Sequence, residues 1–265
     1  MDKLKRFSNA LLIIATVCLV VFLGYDIFKQ DKEPPVINIP TEEIEVSVKD
    51  KDDVLLEGVT AKDNRDGDVS DSVVIEKISS TTEEGYRIIT YAAIDRYGNV
   101  GRTERKLTYN DYKPPVIYLT NDMRFQFENY NANPVDNVKV ESELDGDLTK
   151  KVKINFTDDT DVWENGTINA QLSVTDSTGT TAKLPVKIDI YDGKTEGDLE
   201  LSQYIVYLEA DSEFSPMKYY NDDYPSEEIK VESNVDMKNQ GVYDVVYTLD
   251  MEKNTKKARL VVVVL

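Results

Sequence analysis

Hydrophobic and polar positions follow two different rules along this chain. From Ala10 to Tyr25 the stretch "ALLIIATVCLVVFLGY" is apolar and carries no charge. Beyond residue 33, apolar and polar residues alternate in short runs. In "TINAQLSV" Ile168, Ala170, Leu172 and Val174 fall on one face, and in "VYDVVYTL" Tyr243, Val245, Tyr247 and Leu249 do the same. A period of two marks a half-buried β-strand. "KLTY", "LPVKIDIY" and "RLVVVVL" are strand-like runs rich in β-branched residues. Clusters of Gly, Asn and Asp separate the strands at short intervals, as in all-β sandwiches. Outside the apolar segment no stretch has the pattern of an amphipathic helix, although "DYPSEEIKVE" has room for one turn.

Extended through Ile27 and Phe28, the apolar segment approaches the ~20 residues that cross a bilayer. It predicts a single transmembrane helix over 10–28, after a cytoplasmic tail (1–9) and before a linker (29–33). Lys3, Lys5 and Arg6 outnumber Asp2 in the tail, which keeps the N-terminus cytoplasmic and places the following chain outside. A cleaved signal peptide is the rival reading, but the run is long for one and no small-x-small site follows it. A lipoprotein signal would need a small residue before Cys18, where Val17 stands. The expected location is the cell membrane, single-pass, with extracellular C-terminal domains.

The chain repeats itself with a period near eighty residues. "PPVINI" at Pro34 returns as "PPVIYL" at Pro114, and "DGDVSDSVVI" at Asp66 returns as "DGDLTKKVKI" at Asp145. "GYRIITYAAIDRYGN" at Gly85 returns as "GTINAQLSVTDSTGT" at Gly166. Ordered agreement of three landmarks marks a structural repeat. A third, divergent unit keeps Gly241, Tyr243, Val245 and Tyr247 but lacks the Pro-Pro start and the Asp-Gly-Asp turn. The boundaries are 34–110, 111–192 and 193–265. Pro114 and Pro115 stiffen the first joint, whereas Gly193 and Gly197 in "YDGKTEGD" predict a more flexible second one.

This pattern resembles the bacterial Ig-like repeats of Gram-positive surface proteins, also seen in insecticidal crystal proteins. The resemblance rests on Pro35-Val36-Ile37, on Ala61, Asp63, Asn64, Asp66, Gly67, Asp68 and Ser70, and on Gly85, Tyr91, Asp95, Gly98 and Asn99. The second unit keeps Pro115-Val116-Ile117, Asp145, Gly146, Asp147, Thr149, Gly166, Asp176 and Gly179, and departs at Glu143, Leu144 and Thr180. The resemblance implies three tandem Ig-like β-sandwich domains behind the membrane helix, and it implies no activity.

Composition narrows the chemistry. The 265 residues include no His and one Cys, which excludes imidazole catalysis and an intramolecular disulfide. A net charge of −19 argues against nucleic acid as a partner. Trp163 has no Cys partner, so no antibody-type core is expected. Acidic pairs are too common among fifty acidic residues to suggest a glycosidase, and none has the apolar surroundings that raise an acid's pKa. The chain is read as a non-enzyme without catalytic residues.

The stretch "KDNRDGDVSDSVVI" from Lys62 first suggests a metal loop. An EF-hand register centred on Gly67 puts Lys62 at position one and Val73 where a bidentate Glu belongs, so it fails. A looser Ca²⁺ site from Asp63, Asp66 and Asp68 stays open; otherwise the stretch is a turn and no cofactor is expected. In the third unit Tyr219, Tyr220 and Tyr224 of "YYNDDY" are candidate contacts for a protein or glycan partner. The expected function is structural or adhesive, holding an interaction surface away from the membrane. The alternative is a carbohydrate or wall-polymer binding module, or an accessory subunit of an envelope complex.

Overall fold

The computed structural model describes residues 11–21, 31–127, 132–157, 165–221 and 223–265. The expected tail, the linker before Asp31, the outer parts of the expected transmembrane segment and Trp163 lie outside them. Residues 11–21 form helix α1, whose Leu, Ile and Val side chains are all exposed. No helix among the described residues is long and apolar enough to cross a membrane. The remainder is almost entirely β-sheet, divided between two compact units, Met1–Asn110 and Asp111–Leu265.

The first unit contains the first repeat. One sheet holds β1 (Val36–Asn38), β3 (Thr60–Asp63) and β4 (Gly67–Asp68), all antiparallel. The facing sheet runs β2 (Glu43–Val46), β7 (Val100–Tyr109), β6 (Arg87–Ile94), β5 (Val74–Ile78), with β2 parallel to β7. Alternation along these strands sends Ile37 and Ala61 inward from one sheet and Ile89, Tyr91 and Leu107 from the other. A short helix α2 (Asp52–Leu56) adds Leu55, whose carbonyl accepts a 2.7 Å hydrogen bond from the buried Tyr91 hydroxyl. At five residues α2 is too short to show a helical period, and the sequence pattern gives no sign of it. Gly101 in β7 is required by packing, because a Cβ there would overlap the Pro35 carbonyl.

The second unit contains the other two repeats. The second repeat has the same two sheets as the first. Strands β8 (Val116–Leu119), β10 (Val138–Ser142) and β11 (Gly146–Asp147) form one. Strands β12 (Lys153–Phe156), β13 (Gly166–Thr175), β14 (Thr181–Tyr191) and β9 (Arg124–Gln126) form the other, with β9 parallel to β14.

The third repeat differs. Its described residues form one sheet: β15 (Glu196–Asp198), β16 (Ile205–Leu208), β17 (Lys230–Ser233), β18 (Gly241–Asp250) and β19 (Thr255–Val264). A two-sheet sandwich was expected here. The layer that the other repeats build from their Pro-Val-Ile strand and Asp-Gly-Asp turn is reduced, among the described residues, to an antiparallel bridge between Leu201 and Tyr220, and the third repeat has neither sequence marker. Its core is closed instead by Leu199, Leu201, Phe214 and Tyr219, with the Tyr247 hydroxyl donating 2.7 Å to the Pro216 carbonyl.

The joint after Tyr191 is paired and packed. Glu196–Asp198 becomes β15, paired with β19. Ile205 and Val261 of the third repeat are buried in the core of the second. Arg259 binds Asp189 through Nη2 at 2.8 and 3.0 Å and Nε at 3.2 Å. Arg124 reaches Glu196 at 3.1 Å and Asp198 at 3.3 Å and lies over the Tyr191 ring. The two glycines that suggested a bend serve a packed, ion-paired seam.

Candidate metal centre in the first repeat

The Asp-Gly-Asp stretch is a turn in both repeats, held by the same bonds. Asp68 accepts from the Ser70 N–H (3.0 Å) and hydroxyl (2.6 Å), and Asp147 accepts from the Thr149 N–H (2.8 Å). Ser70 and Thr149 in turn accept from the N–H of Ala61 and Val140, both at 3.0 Å. Asp66 takes the N–H of Arg96 (2.9 Å), and its counterpart Asp145 takes that of Ser177 (2.6 Å). Asp66 also pairs with the Arg96 guanidinium. Gly67 and Gly146 sit at φ +76° and +72°, where a side chain would be strained. Asp66 and Asp68 are thus committed to protein donors.

Asp63 joins a different group. It lies at the end of β3, Asp95 follows β6, and Asp31 precedes the first strand. One carboxylate oxygen from each lies within 4.8 Å of the other two. All three are buried, at 4, 3 and 5% exposure for Asp31, Asp63 and Asp95. Asp63 Oδ1 accepts from the N–H groups of Arg65 and Asp66, both at 2.8 Å. Asp95 accepts from the N–H groups of Tyr97 and Asn99 and from the Asn99 amide. The other amide bond of Asn99 goes to the Asp31 carbonyl at 3.1 Å, which ties the incoming segment to the sandwich.

These bonds favour the ionised forms. The N–H groups of Asp66 and Arg65 hold the Asp63 carboxyl below its usual range. Burial is the largest influence on Asp95 and pushes it up, but the bonds from Asn99 and Tyr97 together outweigh burial and lower it. Negative charge therefore collects in a desolvated space. Asp63 Oδ2 and Asp31 Oδ2 are buried there without a hydrogen-bond donor. Arg65 Nε stands 3.5 Å from Asp31 Oδ2, and its side chain is nearly half exposed.

The second repeat fills the corresponding place with protein. Ser142 stands for Asp63 and donates nothing to a charge cluster; its hydroxyl accepts from the Asp145 N–H at 3.1 Å. Asp176 stands for Asp95 and takes the Tyr112 hydroxyl at 2.6 Å and the Thr178 hydroxyl at 2.6 Å.

Of the residues singled out for a Ca²⁺ site, Asp63 lies in this cluster with Asp31 and Asp95, whereas Asp66 and Asp68 belong to the turn. The three lie 32 residues apart in sequence, and only the pairing of β1 with β3 and the packing of the two sheets bring them together. Elsewhere, burial lifts the single carboxyl of Asp122 to about 7 even though the Arg259 N–H and Arg124 oppose the shift. Asp122 accepts that N–H at 2.8 Å. In the third repeat Tyr219 is buried and stacked on Phe214 (6.1 Å between centroids), and Tyr220 and Tyr224 pack against the same core. Tyr219 is a core residue, and Tyr220 and Tyr224 are partly buried.

No family model matches the chain. It is 24% identical over 204 residues to the pesticidal crystal protein Cry22Aa of Bacillus thuringiensis, covering 71% of this chain and 27% of that one. The chain thus spans about a quarter of the length of this relative. A solved structure of CBM51-2 with GlcNAc and the INT domains of Clostridium perfringens ZmpB covers 59% of this chain and 41% of its own. Its TM-score is 0.23 at 16% identity. The protocadherin gammaB7 EC3-6 cis-dimer covers 86% and 73%, with a TM-score of 0.23 at 11% identity. The chain is similar to a crystal protein in sequence and is itself an all-β protein of repeated sheets.

Proposed function

We propose that the chain is a membrane-anchored, extracellular Ig-like protein with a structural or adhesive role and no catalytic one. The observation that carries this reading is the seam between the second and third repeats. A shared core and a buried Arg–Asp network make residues 111–265 one stiff body. A stiff tandem body suits a spacer that holds an interaction surface at a fixed reach. The exposed surface of α1, apolar apart from Thr16, supports the anchor, because so apolar a helix calls for lipid or protein around it. A surface of high negative charge suits a protein that must not associate with its own copies.

Expression of the full chain in a Gram-positive host, followed by membrane fractionation and protease shaving of intact cells, tests the location. The expected result is a membrane-bound chain whose β-region is cleaved from outside. Recovery in the cytosol, or full protection, would overturn the reading. The same cells, offered glycan and wall-polymer panels, separate a specific binding module from a passive spacer.

A further inference from the structure

We propose that Asp31, Asp63 and Asp95 bind one divalent cation of the calcium class. Calcium bonds to oxygen at about 2.3–2.6 Å, so two ligands of one ion stand at most about 5 Å apart. One oxygen from each carboxylate meets that limit against both others. An all-oxygen, hard donor set selects Ca²⁺ or Mg²⁺ over zinc. Mg²⁺ would need ligands at about 2.0–2.1 Å in octahedral order, which a spread of up to 4.8 Å suits less well.

A structural explanation without a cation is weaker. Acidic surface clusters are common, but these side chains are buried, and two of their oxygens lack any donor. An isolated buried carboxylate is costly unless paired. Arg65 pairs with Asp31 at 3.5 Å and also helps lower the Asp63 carboxyl, but its side chain is nearly half exposed.

The second repeat supplies a natural control within the same chain. Where the first repeat concentrates charge, the second places Ser142 and closes Asp176 with two hydroxyls. A cation in the first repeat would link the segment before β1 (Asp31) to the ends of β3 and β6. It would thereby order the start of the first repeat.

The test uses the full chain, freed of metal by chelator, in calorimetric titration with Ca²⁺ and in thermal melts with and without it. One saturable site per chain is expected, with a dissociation constant in the ~0.1–1 mM range of extracellular modules, together with a higher melting temperature. Asp63→Ser copies the second repeat and retains a turn acceptor; it should abolish both effects. Absence of heat and of a melting shift at millimolar Ca²⁺ would overturn the proposal. A shift that persists in full in Asp63→Ser would do so too, because it would belong to diffuse surface charge. Should Asp63→Ser not fold, Asp95→Asn provides the same comparison, since its amide oxygen still accepts from the turn N–H groups.

Discussion

The same place in two homologous repeats is managed in opposite ways. In the first, Asp31, Asp63 and Asp95 converge with unpaired oxygens. In the second, Asp111, Ser142 and Asp176 occupy the corresponding positions, and Tyr112 takes the position of Lys32 and caps Asp176. The surrounding turns are held by the same bonds in both. The comparison teaches that the scaffold tolerates either answer to buried charge. Protein hydroxyls can neutralise it from within, or it can stay exposed to something supplied from outside. A third answer lies in the same unit, where Asp189 is matched by Arg259.

The largest effect should come from breaking that third answer. Arg259→Ala leaves Asp189 buried without its bidentate partner and should cost about 3–5 kcal/mol. It should lower the unfolding transition of the second unit in calorimetry, whether or not Ca²⁺ is present. A calcium-dependent loss would mean that the two clusters are coupled after all.

Tyr112→Phe attacks the second answer. It strips the hydroxyl from Asp176 and should cost about 1.5–3 kcal/mol, as for a bond to a charged group. A denaturant melt without change in midpoint would show that water replaces the hydroxyl at no cost.

Ser142→Asp in the Tyr112→Phe background converts the second answer into the first. The double variant should melt lower than Tyr112→Phe in chelator and regain part of the difference with Ca²⁺. If Ca²⁺ returns nothing, three nearby acids are insufficient and the first repeat depends on finer geometry.

A separate effect concerns pH. Asp122, with its pKa raised from 3.8 to about 7, binds more protons folded than unfolded between those values. Stability from this group is therefore present below about pH 4 and is lost as pH rises through 7. Asp122→Asn removes the dependence while its side-chain oxygen still accepts from the Arg259 N–H. Melting temperatures of the two proteins should agree near pH 4 and separate in favour of the variant by pH 8. Parallel curves would exclude Asp122 as the titrating group.

The strands were legible because alternation is a local property. Leu172, Tyr247 and their neighbours announce which side faces the core. The turn at Gly67 was legible because the repeat shows which of its residues persist. What varies between copies, Asp63 against Ser142, also pointed to the place where chemistry could differ. Two things stayed hidden. The partners of Asp63 come from residues 31 and 95, which no local pattern connects. The second joint was misread because Gly193 and Gly197 signal a flexible chain only until tertiary pairing claims them, as it does for β15.

In all three repeats a short early strand runs parallel to the last residues of the final one: β2 beside β7, β9 beside β14, β16 beside β19. Tension applied along the chain would pull these neighbours in opposite directions along their length. Their hydrogen bonds lie across the strands, so they would share the load and have to fail together rather than peel one at a time. Each repeat is closed by a mechanical clasp.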